Sequence, residues 1–161
     1  MKPTVYIETT VISYLTARPS RDLIVAAHQQ ITLDWWEKKH NNYDFYVSEF
    51  VLKEASKGDA TAAQKRMDVV NKITLLRITD EITSLGILFM KQAHLPKNAT
   101  EDALHIATAT VHQMDYLVTW NCKHIANAEI QKMLKNIAAS NGYELPLICT
   151  PEELLGEFYV G

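Results

Sequence analysis

Cysteine is scarce in the 161-residue chain. Cys122 and Cys149 show no CxxC spacing, which excludes a disulfide framework or a zinc knuckle and suits a reducing compartment. As small apolar side chains, both are expected in the interior. Five glycines and five prolines are too few for a collagen-like or low-complexity chain. Long apolar runs are missing as well: the stretch Leu85 to Met90 is bounded by Asp80, Glu81 and Lys91, so no segment is expected to span a bilayer. Met1-Lys2-Pro3-Thr4 has neither the apolar core nor the cleavage site of an export signal, and a cytoplasmic location is the expectation. No charge sign dominates, since the net charge is −3, which excludes a strongly basic nucleic-acid coat. There is no glycine-rich phosphate loop, no Ser-His-Asp order and no HExxH, so nucleotide hydrolysis, acyl transfer and a zinc centre built on the six histidines have no support.

What is present is globular: 47% hydrophobic and 22% charged residues, without a linker or repeat, read as one domain over 1–161. Short β-branched and aromatic runs alternate with helical patterns. Strands are expected at Thr4 to Ile7, Asp44 to Val47, Ile73 to Ile78, Tyr116 to Trp120 and Leu145 to Thr150, the last at an edge because of Pro146. Between them, Asp22 caps a long helix to about His40. Ser48 caps a helix through Ala55 that closes at Gly58, and helices follow over Ala60 to Lys72 and Asp80 to His94. Asn98 and Glu101 form a capping-box pattern for a helix to about Gln113, Ile125 to Ala139 is helical, and Pro151 starts a final turn. The alternation predicts an α/β class: a three-layer α/β/α sandwich around a central, mostly parallel five-stranded sheet. Trp35 and Trp36 point about 100° apart on their helix, so only one fits the core.

Ligands of such sheets gather beyond the carboxyl ends of the strands. Glu8-Thr9-Thr10, Ser48 to Glu54, and Thr119-Trp120-Asn121 lie at those ends, and Asp102 opens the helix before the fourth strand. Glu54 falls three and four residues after Val51 and Phe50, on the apolar stripe of its helix, where an acid needs a partner. Asp102 sits in a first turn that favours an anion. Acids that converge repel unless a cation neutralises them, and hard oxygen ligands point to Mg²⁺ or Mn²⁺.

The series Tyr6-Ile7-Glu8-Thr9-Thr10, Val47-Ser48 with Glu54, Glu101-Asp102-Ala103-Leu104-His105, and Leu117-Val118-Thr119-Trp120-Asn121 resembles the PIN-domain family, and within it the VapC-like toxin ribonucleases of toxin-antitoxin systems. The resemblance runs from Val5 to Leu155. It implies a PIN-like sandwich, RNA as substrate, an Mg²⁺ or Mn²⁺ pocket, a cognate antitoxin and a homodimer. On it, Glu8, Glu54 and Asp102 match the metal-holding catalytic acids, Asn121 falls where a further acid is common, and Thr9 and Thr119 match positions that place water or substrate. The first acid is usually aspartate, and Asn121 is neutral, which reduces the negative charge and leaves a weakly catalytic RNA- or protein-binding PIN-type module as the alternative. His105 and His124 read as packing or hydrogen-bonding residues near the site. Arg18 and Arg21 are candidates for RNA or partner contact.

Overall fold

A computed structural model describes residues 1–156; the last five residues of the domain expected over 1–161 lie outside the described residues. The chain runs β1 (Thr4–Ile7), α1 (Thr9–Thr16), α2 (Leu23–Lys39), β2 (Asp44–Ser48), α3 (Glu49–Ala55), α4 (Ala60–Val70), β3 (Thr74–Leu76), α5 (Asp80–Gln92), α6 (Thr100–Val111), β4 (Tyr116–Val118), α7 (Ala128–Ser140), β5 (Leu147–Cys149) and α8 (Pro151–Leu155). The five strands form one parallel sheet in the order β3-β2-β1-β4-β5, so the expected α/β class and five-stranded sheet are present.

Right-handed crossovers decide where the helices go. From β1 to β3 the chain steps one way along the sheet and lays α1 to α4 on one face. It then crosses back to β4 and β5, which places α5 to α7 on the other. Central strands are therefore covered on both sides, and Val5, Tyr6, Ile7, Leu117 and Val118 have no exposed surface. The order reverses between β1 and β4, so the crevice at their carboxyl ends is the topological switch point. The ladder continues past the strands there: Glu8 N–H donates to the Val118 carbonyl at 3.1 Å, and Thr119 N–H to the Cys149 carbonyl at 3.0 Å.

Several elements differ from expectation for local reasons. Asp22 caps α2 through Val25 N–H as predicted, but Ser48, although it is the N-cap of α3, makes no side-chain capping bond because its hydroxyl turns to Tyr6. The capping box predicted at Asn98 and Glu101 is not formed. A 3-10 turn over Lys97–Ala99 leads into α6, and the box is found instead between Thr150 and Glu153. α6 ends at Val111, where Gln113 takes φ +57° and Met114 N–H closes back on the Ala109 carbonyl. α7 starts at Ala128 rather than Ile125, because the Asn127 side chain accepts from both Glu129 and Ile130 N–H. β3 and β5 are shorter than predicted, and β5 is an edge strand as Pro146 indicated. Cys149 is buried, whereas Cys122, expected inside, is exposed in the turn after β4, which points it away from the core. Trp35 is the tryptophan of the core, and half-buried Trp36 stacks on Phe45.

Candidate functional site

Three carboxylates are delivered to the carboxyl end of the sheet, one by the end of β1 and two by helices α3 and α6. Glu8 leaves β1 directly and becomes the N-cap of α1, its carboxylate accepting from Thr10 N–H at 3.1 Å and from the Thr10 hydroxyl. Thr119, at the end of β4, donates its hydroxyl to the same carboxylate at 2.6 Å. Thr10 also stitches the strand ends together, its Oγ1 accepting from Trp120 N–H at 2.9 Å, while Thr119 Oγ1 accepts from Asn121 N–H at 2.9 Å within the turn after β4. Glu8 is only 3% exposed. Burial pushes its carboxyl well up, and the charge of His105 with the Thr10 and Thr119 bonds offsets only part of that rise.

Glu54 lies in the last turn of α3, half-buried. Its Oε1 accepts from the Thr9 hydroxyl at 2.9 Å and is hydrogen-bonded to Nε2 of His105 on α6. Burial works to raise the Glu54 carboxyl, but the His105 bond and charge, the Thr9 bond and nearby Lys57 together hold it below the usual range. His105 is fully buried. Burial alone would lower its imidazole, whereas the bond and charge of Glu54 and the charges of Glu8 and Asp102 raise it.

Asp102, in the first turn of α6, accepts from Asn121 Nδ2 at 3.0 Å on one oxygen and pairs with His124 Nδ1 at 2.9 Å on the other. Asn121 Oδ1 in turn accepts His124 N–H at 3.1 Å, so the turn after β4 is folded onto the acid. Burial pushes the Asp102 carboxyl up against the bond and charge of His124, and the negative charge of Glu54 adds to the rise.

Glu8, Glu54 and Asp102 thus stand at one end of the sheet, and Thr9, Thr119 and Asn121 each hydrogen-bond one of them. Arg18 and Arg21 lie apart, exposed on the loop between α1 and α2. That loop is pinned where Gln29 donates to the Arg18 carbonyl and accepts from Ser20 N–H. Three site residues went unrecognised in the sequence. Thr10 bridges Glu8 and Trp120, while Tyr6 and Ser48 stand behind His105 in a buried chain: Tyr6 Oη lies 2.7 Å from Ser48 Oγ and 2.6 Å from His105 Nδ1. A tyrosine inside an otherwise aliphatic central strand was the available signal, because its hydroxyl must find a partner.

Hard oxygen donors, two of them partly exposed and mutually repelling, fit a divalent cation in chemical type. Histidines occupy that compensating role in this arrangement, and among the described residues no three His, Cys, Asp or Glu side chains are grouped as the ligands of one ion. A separate cleft of about 470 Å³, lined by Trp36, Tyr43, Phe45, Val69 and Ile73, opens at the amino ends of β2 and β3, away from the carboxylates.

No protein-family model matches the chain, and no curated protein matches it in sequence. Among solved structures, it is similar to a chain in the crystal structure of VapBC2 from Rickettsia felis bound to a DNA fragment from their promoter. The TM-score is 0.60 at 15% identity, over 91% of this chain and 98% of that one. The likeness establishes a shared fold. No helix among the described residues is long and apolar enough to cross a membrane.

Proposed function

We propose that this protein is a divalent-metal-dependent endoribonuclease, the toxin component of a toxin-antitoxin pair. The observation that carries the reading is the convergence of Glu8, Glu54 and Asp102 at the switch point between β1 and β4. Its context is a fold shared with a chain of the Rickettsia felis VapBC2 assembly.

Glu54 and Asp102, with Glu8 behind them, would hold Mg²⁺ or Mn²⁺, which when bound supplies Lewis-acid activation of water and charge stabilisation of the leaving oxygen. The chain's own residues set the geometry for in-line attack on an RNA phosphodiester. Thr9 and His105 fix Glu54, Asn121 and His124 fix Asp102, and Thr10 and Thr119 fix Glu8. The Thr9 hydroxyl oxygen and the second amide hydrogen of Asn121 would place water or a phosphate oxygen, whereas the fully buried Thr119 hydroxyl, given to Glu8 and accepting from Asn121 N–H, acts through Glu8. Arg18 and Arg21 offer exposed cations to RNA phosphates or to an acidic segment of a cognate antitoxin. A homodimer working in the cytoplasm belongs to the same reading.

A binding module with little catalysis is favoured by one observation, that Glu54 and Asp102 are each already paired with a histidine. The deciding experiment is cleavage of a structured RNA pool with Mg²⁺, with Mn²⁺ and with chelator, beside a Glu54→Ala/Asp102→Ala variant. Metal-dependent cleavage absent from the variant supports the nuclease. Equal activity or equal inactivity of the two proteins overturns it and leaves the module.

A further inference from the structure

Behind the carboxylates runs a buried relay whose inner members, Ser48 and Tyr6, the chemistry above does not use: Ser48 Oγ, Tyr6 Oη, His105 Nδ1, His105 Nε2 and Glu54 Oε1, contributed by β2, β1, α6 and α3. Every member except Glu54 is fully buried, and each polar atom within the relay has a partner. From this geometry we infer that His105 is a positioning residue. Locked from behind by Tyr6 and Ser48, it presents an Nε2–H that holds the Glu54 carboxylate in the orientation the site requires.

The assignment of that hydrogen follows from donor and acceptor counting. An ionised Glu54 has no hydrogen to give, so the bond to His105 requires one on Nε2. In the neutral ring Nδ1 is then a bare acceptor and Tyr6 donates to it; in the imidazolium Nδ1 donates to Tyr6 and Tyr6 to Ser48. Both arrangements are complete, and in both Nε2 carries the hydrogen. Ser48 supplies an independent sign of this commitment. It occupies the N-cap of α3, the helix that carries Glu54, yet makes no side-chain capping bond and points its hydroxyl at Tyr6. The edge of the Phe50 ring against His105, with centroids 6.1 Å apart, further restricts imidazole rotation. Glu54 thereby receives one fixed donor from the interior and one, Thr9, from α1, which leaves Oε2 as the oxygen free to meet substrate or cation.

The kinetic part of this inference rests on the nuclease reading, so its test has an arm that does not. In the cleavage assay, Tyr6→Phe and His105→Leu are expected to lower kcat about tenfold or more, with KM within about twofold. His105→Gln, whose amide N–H can replace Nε2–H, restores kcat, and adding Tyr6→Phe to it has no further effect. Unchanged kcat in Tyr6→Phe, or failure of His105→Gln to restore a loss that His105→Leu shows while folded, overturns the inference. In parallel, ¹⁵N spectra of histidine-labelled wild type are expected to show a protonated Nε2 on His105, and the Glu54 carboxyl ¹³C shift is expected to move in Tyr6→Phe. An unprotonated Nε2, or an unmoved Glu54 shift, overturns the inference whether or not the protein cleaves RNA. Absence of cleavage by the wild type overturns only the nuclease reading, and the spectra then decide the relay.

Discussion

His105 Nε2 and Glu54 Oε1, 51 positions apart in the chain, are joined by a hydrogen bond that ties α6 to α3 across the end of the sheet. Burial works against the charged imidazole, but the bond and charge of Glu54 together with the charges of Glu8 and Asp102 outweigh it, so the folded state holds the His105 proton more tightly than the unfolded chain does. The resulting stabilisation is fully present below the unfolded value of about 6.5 and is lost as pH rises through the higher folded value. Melting temperature is therefore expected to fall from about pH 6.5 upward in the wild type and to fall less in His105→Gln. Glu8 and Asp102, whose folded values are also raised, give declines of the same sign that start lower. Identical profiles for the two proteins would contradict this account.

Glu8 tests the strand-end stitching. In Glu8→Gln one carboxylate oxygen becomes an NH₂ group, which must face either Thr10 N–H or the Thr10 and Thr119 hydroxyls. A lost cap or an unmatched buried donor costs about 1–2 kcal/mol, and a fall in melting temperature of about 2–6 °C by calorimetry is the expected outcome.

Asn121 and Asp102 are in direct contact at 3.0 Å, so Asn121→Asp sets one carboxylate against another. Repulsion of about 1 kcal/mol lowers the melting temperature in chelator, and added Mn²⁺ raises it by more than it raises the wild type. A smaller Mn²⁺ shift than that of the wild type would show that charge does not limit the site.

Arg18→Ala/Arg21→Ala alters an exposed loop and leaves the carboxylates untouched. RNA affinity is expected to weaken severalfold, and the slope of log affinity against log salt to become shallower by about 0.7 for each phosphate contact removed, at unchanged melting temperature. An unaltered salt slope would assign the two arginines to bulk solvent.

Much of the architecture was legible from local pattern. Thr4 to Ile7 and Asp44 to Val47 are strands, Asp22 caps the long helix, Pro146 marks an edge, and the α/β alternation with its right-handed crossovers yields a parallel sheet. Element ends were less legible where a neighbouring Asn starts the helix first, as at Asn127, whereas the helix after Ser48 lies where predicted and only its capping bond is lost, to Tyr6.

By itself the sequence determined the fold class and which acids stand at strand ends, because periodicity and chain order settle both. Only the tertiary structure decided what each acid touches: Glu8 is buried under Thr10 and Thr119, Glu54 is paired with His105, and Asp102 with Asn121 and His124. The physical reason is range. Strand and helix preferences act over a few residues, whereas the partner of a buried polar group is set by whichever chain segment the sheet order brings beside it, and the Glu8 to Thr119 bond spans 111 positions.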